Sequence, residues 1–394
     1  MQDDSDLTII PLVLKTGERL PCLVYTATWL PAKLATRWIV CHRRHRVQSA
    51  TLRDNLYAIR RLYIWTTHVA QIPLEAVLLN GETLTPRQLE GFIAHLRTAS
   101  RARGAPVVSS NTVNKTLYAV EDFLLWAWDQ ANPPQPYPQL GERYALRSQL
   151  VQGLRSLRYR SHPSRRYQPL SDTDIAAVRM TLVPQPQADG SHEFPNTFTA
   201  TNALRNWLMV EMALELGLRI GELLKLRLDS LPRGPQRLLL VRRYPDDPHD
   251  TRTHEPAVKT AERGLPLSAP LLATLRAYVT GKPPLGRATS GSPYLFVTDE
   301  GHALSRGRAN DIWAVVSRHS GVSPLSWHRL RHTWAEHMAA YLMDVPNGLD
   351  QLMYLGGWTN PQSPQRYMQN ALAARAQTYL LAWQQSIYQE DNQP

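Results

Sequence analysis

The sequence predicts a mainly α-helical chain of two units, the second a mixed α+β unit with a small antiparallel sheet. Three observations carry this. Apolar residues recur at helical spacing through most of the chain. Two short runs in the second half, RLLLVRRY at 237–244 and RGLPLS at 263–268, carry strand signals. Between the halves, RSLRYRSHPSRR from Arg155 to Arg166 holds five arginines, one proline and no acidic residue, the composition of an exposed connector.

Bulk properties narrow the class. At 394 residues the chain can bury two ordinary cores, and 43% hydrophobic with 20% charged residues is globular composition. A net charge of +11 and a pI near 9.8 point to a polyanionic partner, nucleic acid ahead of an acidic membrane face. Two cysteines, Cys22 and Cys41, make neither a disulfide framework nor a four-ligand metal site, so a reduced, cytoplasmic chain is expected. The acidic start MQDDSD and the short run Leu7 to Leu14, broken by Pro11, do not read as a signal peptide. No stretch approaches the roughly 18 apolar residues that a membrane span requires, and no membrane partner is expected.

Taken in order, residues 1–35 form a strand-rich or irregular lead-in, LTIIPLVL followed by the turn signal KTGERLP. Residues 36–157 carry four amphipathic segments. In the first, Leu52, Leu56, Ile59 and Tyr63 share a face; the second opens with Thr85 as N-cap and Pro86 at the first helical position. The third runs from Thr112 to Asp129 and the fourth from about Glu142 to Leu157, giving a small helical bundle. Residues 158–168 are the Arg-rich linker. The second unit, 169–367, begins at LSDTD, where Ser171 and Asp174 have capping-box spacing. Residues 182–198 read as a long polar loop. Helices are expected from Ala203 to Leu216, ended by Gly217, and from Ile220 to Leu226. From Pro270 onward the chain reads as helical apart from YLFV at 294–297, and residues 368–394 form a tail helix with Leu372, Ala376, Tyr379 and Trp383 at helical spacing.

Several residues stand out chemically. Arg219, in LGLRIGELLKL, follows the glycine that ends one helix, with Glu222 three residues on. A solvated Arg to Glu pair at that spacing is worth only a few tenths of a kcal/mol. His328 and Arg331 share a helix face behind Ser326, a credible N-cap, where backbone amides and the dipole favour an anion. His332 is adjacent. Lys259 lies in the polar turn AVKTAERGLPL, Trp358 in YLGGW, and Tyr367 nine positions beyond that tryptophan. Tyr341, Tyr354, Tyr379 and Tyr388 are rival tyrosines whose helical, apolar surroundings read as packing. Breaking a phosphodiester without a metal needs one group of each kind present here: a nucleophile, fixed cations for the non-bridging oxygens, and a proton for the leaving 5′ oxygen. Basic clusters outside the constellation are Arg43, Arg44 and Arg46 in HRRHR, and Arg155, Arg158, Arg160, Arg165 and Arg166 in the connector. Such clusters are either solvated surface charge or contacts to a nucleic-acid backbone, where each Arg would neutralise a phosphate and release counterions.

The order LGLRIGEL, Lys before a strand, HRLRHT, GGW, then tyrosine resembles the tyrosine recombinases, the phage integrase family. The resemblance covers Ser171 to about Tyr367 and, more loosely, the helical first domain. It implies that 36–157 is a core-binding DNA-binding domain and 169–367 a catalytic domain. Arg219, Lys259, His328, Arg331, Trp358 and Tyr367 would then be the active-site positions, with Glu222 and His332 supporting; Trp358 stands where many members have a histidine. It further implies a 3′-phosphotyrosyl bond with release of a 5′ hydroxyl, double-stranded DNA as partner, strand exchange in a homotetramer, no metal and no nucleotide cofactor. An accessory DNA-bending or directionality protein is a further possible partner, and the tail helix would dock on its own or a neighbouring protomer. The biological setting would be integration, excision or resolution of a mobile element or replicon. A type IB topoisomerase and a DNA-binding regulator with a dead site are the alternatives.

Overall fold

The computed structural model describes residues 6–101, 108–133, 140–160, 168–183, 185–186, 192–193, 200–233, 236–281, 286–288 and 291–390. The chain divides into two compact units, Met1–Arg165 with Thr253–Glu255, and Arg166–Arg252 with Pro256–Pro394.

The first unit opens with an antiparallel hairpin, β1 (Leu7–Val13) and β2 (Arg19–Tyr25), in register from Leu7 opposite Tyr25 to Val13 opposite Arg19. The lead-in is therefore regular structure, and its inward residues Leu7 and Leu23 join the core of the helices. Six helices follow: α1 (Lys33–Trp38), α2 (Ser49–Trp65), α3 (Leu74–Leu79), α4 (Pro86–Arg101), α5 (Ser110–Ala131) and α6 (Leu140–Ser156). The four expected segments correspond to α2, α4, α5 and α6. The six-residue α1 and α3 offer less than two turns of pattern, too short for periodicity to register.

Local chemistry explains the starts. Thr85 and Gln88 form a reciprocal capping box ahead of Pro86, with the Thr85 amide donating to Gln88 Oε1 at 2.8 Å. The Ser109 hydroxyl accepts from the Thr112 amide to begin α5. The α2 stripe of Leu52, Leu56, Ile59 and Tyr63 is buried as its spacing demands, each leucine worth about 1.5–3 kcal/mol relative to exposure. Edge-to-face packing of Trp38 on Phe123, centroids 5.5 Å apart, locks α1 against α5.

The second unit begins with α7 (Asp172–Leu182), closed by the Ser171–Asp174 capping box. Of the expected loop at 182–198, the described residues include a two-residue hairpin, β3 (Gln185–Pro186) with β4 (His192–Glu193), and the rest lies outside the described residues. The helix α8 (Ala200–Leu216) is the central rod: Met209, Val210, Met212 and Ala213 are wholly buried. It stops at Gly217, whose φ of +62° suits glycine, and a Cβ there would sit 2.2 Å from the Trp334 ring. After α9 (Ile220–Lys225), β5 (Leu238–Val241) and β6 (Arg263–Pro266) pair antiparallel, Val241 opposite Arg263.

The helices α10 (Ala269–Thr280), α11 (Arg306–Ser320), α12 (Trp327–Leu342), α13 (Gly348–Gly356) and α14 (Gln362–Glu390) complete the unit. Continuous helix from Pro270 was expected, but the described part of 281–305 contains none. There the buried Arg287 guanidinium collects the carbonyls of Ser292, Tyr294 and Leu295, and holds the segment as an irregular wrap. YLFV contributes bridges, Tyr294 to Arg227 and Val297 to Ala303, in place of a strand. No helix of the described residues is long and apolar enough to cross a membrane. Both cysteines are free, Cys22 buried and Cys41 exposed.

Candidate active site

Five segments of the second unit converge: the α8–α9 turn, the run into β6, the start of α12, the end of α13 and the first turns of α14. Glu222 ties them together. Standing at the third position of α9, its carboxylate accepts the Arg219 amide at 2.6 Å, which closes the helix start. The same carboxylate accepts the Arg263 guanidinium at 2.6 Å and the Thr260 hydroxyl, and lies 3.7 Å from Arg331. Burial alone would raise this carboxyl; Arg263, Arg331 and Thr260 outweigh it and hold the group below its usual range. Glu222 thus holds the backbone of Arg219 and the side chains of two other arginines, and the simple i, i+3 surface pair is not what forms.

Arg331 is 3% exposed. Ser326 caps α12 by accepting the Arg329 amide, and Arg331 lies on the buried face of the helix with Trp327, Leu330 and Trp334. There it donates to the carbonyls of Gly217 and Gly356, both at 2.6 Å, and stacks on the Trp358 ring at 4.4 Å. Burial, followed by the neighbouring Arg219 charge, pushes it down to about 9. Arg219 is half-buried, and its guanidinium donates to no group among the described residues. Burial lowers it too, against the pull of Glu222.

The tyrosine lies at the edge of this cationic cluster. Tyr367 is 4% exposed, with its ring between Trp358 (centroids 5.9 Å) and His332 (5.5 Å). Its hydroxyl meets His332 Nδ1 at 2.5 Å and receives a hydrogen bond from Arg366 at 2.9 Å. Burial raises the phenol, and Arg366 and Arg331 oppose the rise. His332 Nε2 in turn lies 2.8 Å from His328 Nε2. Burial, then His328 and the arginines, lower His332 to about 3, and burial with Arg331 lowers His328.

The structure thus assembles Arg219, Glu222, His328, Arg331, His332, Trp358 and Tyr367. Lys259 is left out: it is exposed and forms no hydrogen bond or ion pair among the described residues, although its neighbours Thr260 and Ala261 bond to Glu222 and to the Gly357 carbonyl. Two residues of the site were not expected. Arg263 is buried on the inward face of β6 with Leu265, and its packing against Gly357 (φ +65°) leaves no room for a Cβ there. A charged residue sharing a strand face with a core leucine was the available signal. Arg366 had only its adjacency to Tyr367. Of the rival tyrosines, Tyr341, Tyr354 and Tyr379 are exposed by 77%, 58% and 61%, so they are surface residues and not core packing as expected. The outward faces of α12, α13 and α14 carry them. The side chain of Tyr388 lies outside the described residues.

In the first unit, Arg46, Arg155 and Arg160 are exposed, Arg155 lying 3.9 Å from Glu121, whereas Arg44 forms a two-bond pair with Glu18 and Arg158 pairs with Glu121. Arg43 lies over Trp38 and 3.7 Å from Asp122. Arg165 and Arg166 lie outside the described residues. Among the described residues no group of three or more His, Cys, Asp or Glu is placed to hold a metal ion.

Residues 188–373 match the phage integrase family. The tyrosine recombinase XerC of Mycobacterium sp. (strain KMS) is 32% identical over 138 residues, 34% of this chain and 41% of that protein, and those of strains JLS and MCS match equally. The chain thus spans about 41% of the length of the curated relatives it matches. Among solved structures, the Tn1549 transposon integrase in complex with transposon right end DNA aligns with a TM-score of 0.53 at 15% identity, over 89% of this chain and 98% of that one. The XerH recombinase bound to difH substrate aligns with a TM-score of 0.53 at 14% identity, over 87% and 83%. These two share the mostly helical fold with its small antiparallel sheets. Through the sequence match across residues 188–373, the second unit is similar to the phage integrase family of tyrosine recombinases.

Proposed function

We propose that this chain breaks and rejoins duplex DNA at a specific site through a 3′-phosphotyrosyl bond to Tyr367. One observation carries the reading. Three guanidinium groups, Arg219, Arg263 and Arg331, surround the single carboxylate of Glu222, an excess of two positive charges beside a buried tyrosine hydroxyl. A phosphodiester is the anion such a cluster suits, because planar guanidinium forks match its non-bridging oxygens.

In this mechanism Arg219 and Arg331 stabilise charge on the phosphate as Tyr367 attacks phosphorus, while Glu222 fixes both arginines and Trp358 shields the site from water. Lys259, on its exposed turn, protonates the departing 5′ oxygen once DNA brings the two together. His328 donates to a phosphate oxygen. The relatives' solved complexes contain DNA, which supports the same partner here. Residues 36–157 would grip the duplex as a core-binding domain, joined by the linker 158–168 to the catalytic domain 169–367. Arg46 and Arg160, with Arg165 and Arg166, would lie on the backbone, and Arg43, Arg44, Arg155 and Arg158 would first have to leave the carboxylates of Asp122, Glu18 and Glu121.

Exchange between two sites requires several protomers, and the tail 368–394 supplies a contact for a homotetramer. Its residues Leu372, Tyr379, Leu380, Leu381 and Trp383 are all more than half exposed. A cytoplasmic, nucleoid-associated recombinase of a mobile element or replicon, assisted by an accessory DNA-bending or directionality protein, fits these parts. The test is a detergent-resistant adduct on a suicide duplex taken from DNA flanking the gene, followed by incubation with two labelled sites. Crossed products are expected; relaxation without crossing would indicate a topoisomerase, and no adduct at all a regulator.

A further inference from the structure

Resting on that reading, we propose that His332 accepts the Tyr367 hydroxyl proton and passes its own ring proton to His328, so that two stacked histidines form the base that makes the nucleophile.

Donor and acceptor accounting leads there. The Tyr367 oxygen receives a hydrogen bond from Arg366 at 2.9 Å, and an arginine can only donate. The hydroxyl hydrogen therefore points at its other partner, His332 Nδ1, 2.5 Å away. A nitrogen that accepts carries no hydrogen, so neutral His332 bears its proton on Nε2. That nitrogen lies 2.8 Å from His328 Nε2, and one of the two must be the donor. His332 Nε2 donates, His328 Nε2 accepts, and the His328 proton is on Nδ1. The chain runs from Arg366 through Tyr367 and His332 to His328, and every hydrogen in it is assigned. Arg366 also lies 3.2 and 3.3 Å from the two nitrogens of His332. A donor aligned with one lone pair could not be equidistant from both nitrogens, so this contact lies against the ring and does not displace the tyrosine.

The spacing on α12 makes the relay possible. His328 and His332 are four apart and stack edge to face with centroids 4.2 Å apart, His332 over the tyrosine and His328 exposed. Besides Tyr367, the groups acting on His332 are His328, Arg366 and Arg331, all able to carry positive charge. Burial first, and these groups with it, hold His332 neutral at pH 7, the state that can accept. They also make a lone imidazolium there costly, which a relay avoids: as the Oη–H bond breaks, an Nδ1–H bond forms, and the Nε2–H bond of His332 breaks as one forms on His328. His332 stays neutral throughout. The Tyr367 oxygen bonds to phosphorus, the bond to the 5′ oxygen breaks, and that oxygen leaves with the Lys259 proton. The His328 imidazolium then restores the lysine through solvent.

Two measurements test this. With 15N-labelled histidine in the full chain, His332 is expected to be the Nε2–H tautomer at pH 7, its Nδ1 signal moving in Tyr367→Phe; an Nδ1–H tautomer overturns the relay. On a suicide duplex, His332→Gln is expected to cleave about 10²-fold or more slowly, with duplex affinity unchanged. The defect should persist when a sulfur that leaves without a proton replaces the bridging 5′ oxygen, while the Lys259→Ala defect should disappear. An unchanged rate in His332→Gln, or rescue of it by sulfur, overturns the relay alone. An unaltered chain that forms no adduct overturns the recombinase reading, and the relay with it.

Discussion

Among the described residues of the second unit, two charge networks are built differently, the first reaching from buried Lys225 and Asp250 out to the exposed Asp229. Around Lys225 the charges balance. Lys225 lies 3.2 Å from Asp250, which Arg252 also grips with two bonds of 2.8 Å, and Arg227 faces Asp247 and Asp229. Three cations meet three carboxylates. Arg252 spends its remaining reach on the carbonyls of Leu224 and Leu304, and the Tyr294 hydroxyl bonds to Asp247, so the network pins the 244–252 segment to the core. Around Glu222, three arginines meet one carboxylate. A buried positive excess is unfavourable in isolation, so the first network fastens the fold, and in the proposed function the second would receive an anion.

The difference can be broken from either side. The largest expected effect is kinetic: Arg219→Ala or Arg331→Ala should slow adduct formation roughly 10²- to 10³-fold, the worth of a transition-state donor, measured under single turnover. A normal rate in either variant would remove that arginine from the site. Lys225→Met should leave Asp250 short of a partner and cost about 3–5 kcal/mol in denaturant unfolding, whereas Arg219→Ala, which loses no side-chain hydrogen bond, should barely change stability. Equal losses in the two variants would erase the distinction.

Smaller still is the response to acid. The folded-state carboxyl of Glu222 is held below its ordinary value of 4.5, so it contributes stability above that pH and loses it as pH falls through the lower folded value. His332, at about 3 against an ordinary 6.5, adds a decline as pH drops through that interval, because the unfolded chain takes up the proton first. Glu222→Gln and His332→Gln should each flatten their part of the stability curve, and an unchanged curve would show that the group does not titrate as described.

Much of this site was legible as strings. Arg219, Arg331 and Tyr367 announce themselves through neighbouring glycine, histidine and tryptophan, because helix ends and tight turns need particular residues. Glu222 was legible as present but not in its role, since its carboxylate serves Arg263, 41 positions away. Arg263 sat in a run read only for strand propensity, where period-two alternation places it inward with Leu265. Lys259 was placed by resemblance, and its exposed side chain takes its position from a turn that the sequence does not fix. The helices α2, α4, α5 and α6 were read from three or more turns of periodicity. The short α1 and α3, and the carbonyl wrap around Arg287, depend on tertiary partners that no local window contains.

Arg331 is gripped from behind by the carbonyls of Gly217 and Gly356, each 2.6 Å away, and backed by the Trp358 ring. A long side chain normally surrenders up to about 2 kcal/mol of rotamer freedom when it is ordered. Here that entropy is lost when the chain folds, long before any encounter with substrate. In the proposed reaction the guanidinium would meet substrate already aimed, and its contribution should appear as speed and not as tightness of binding.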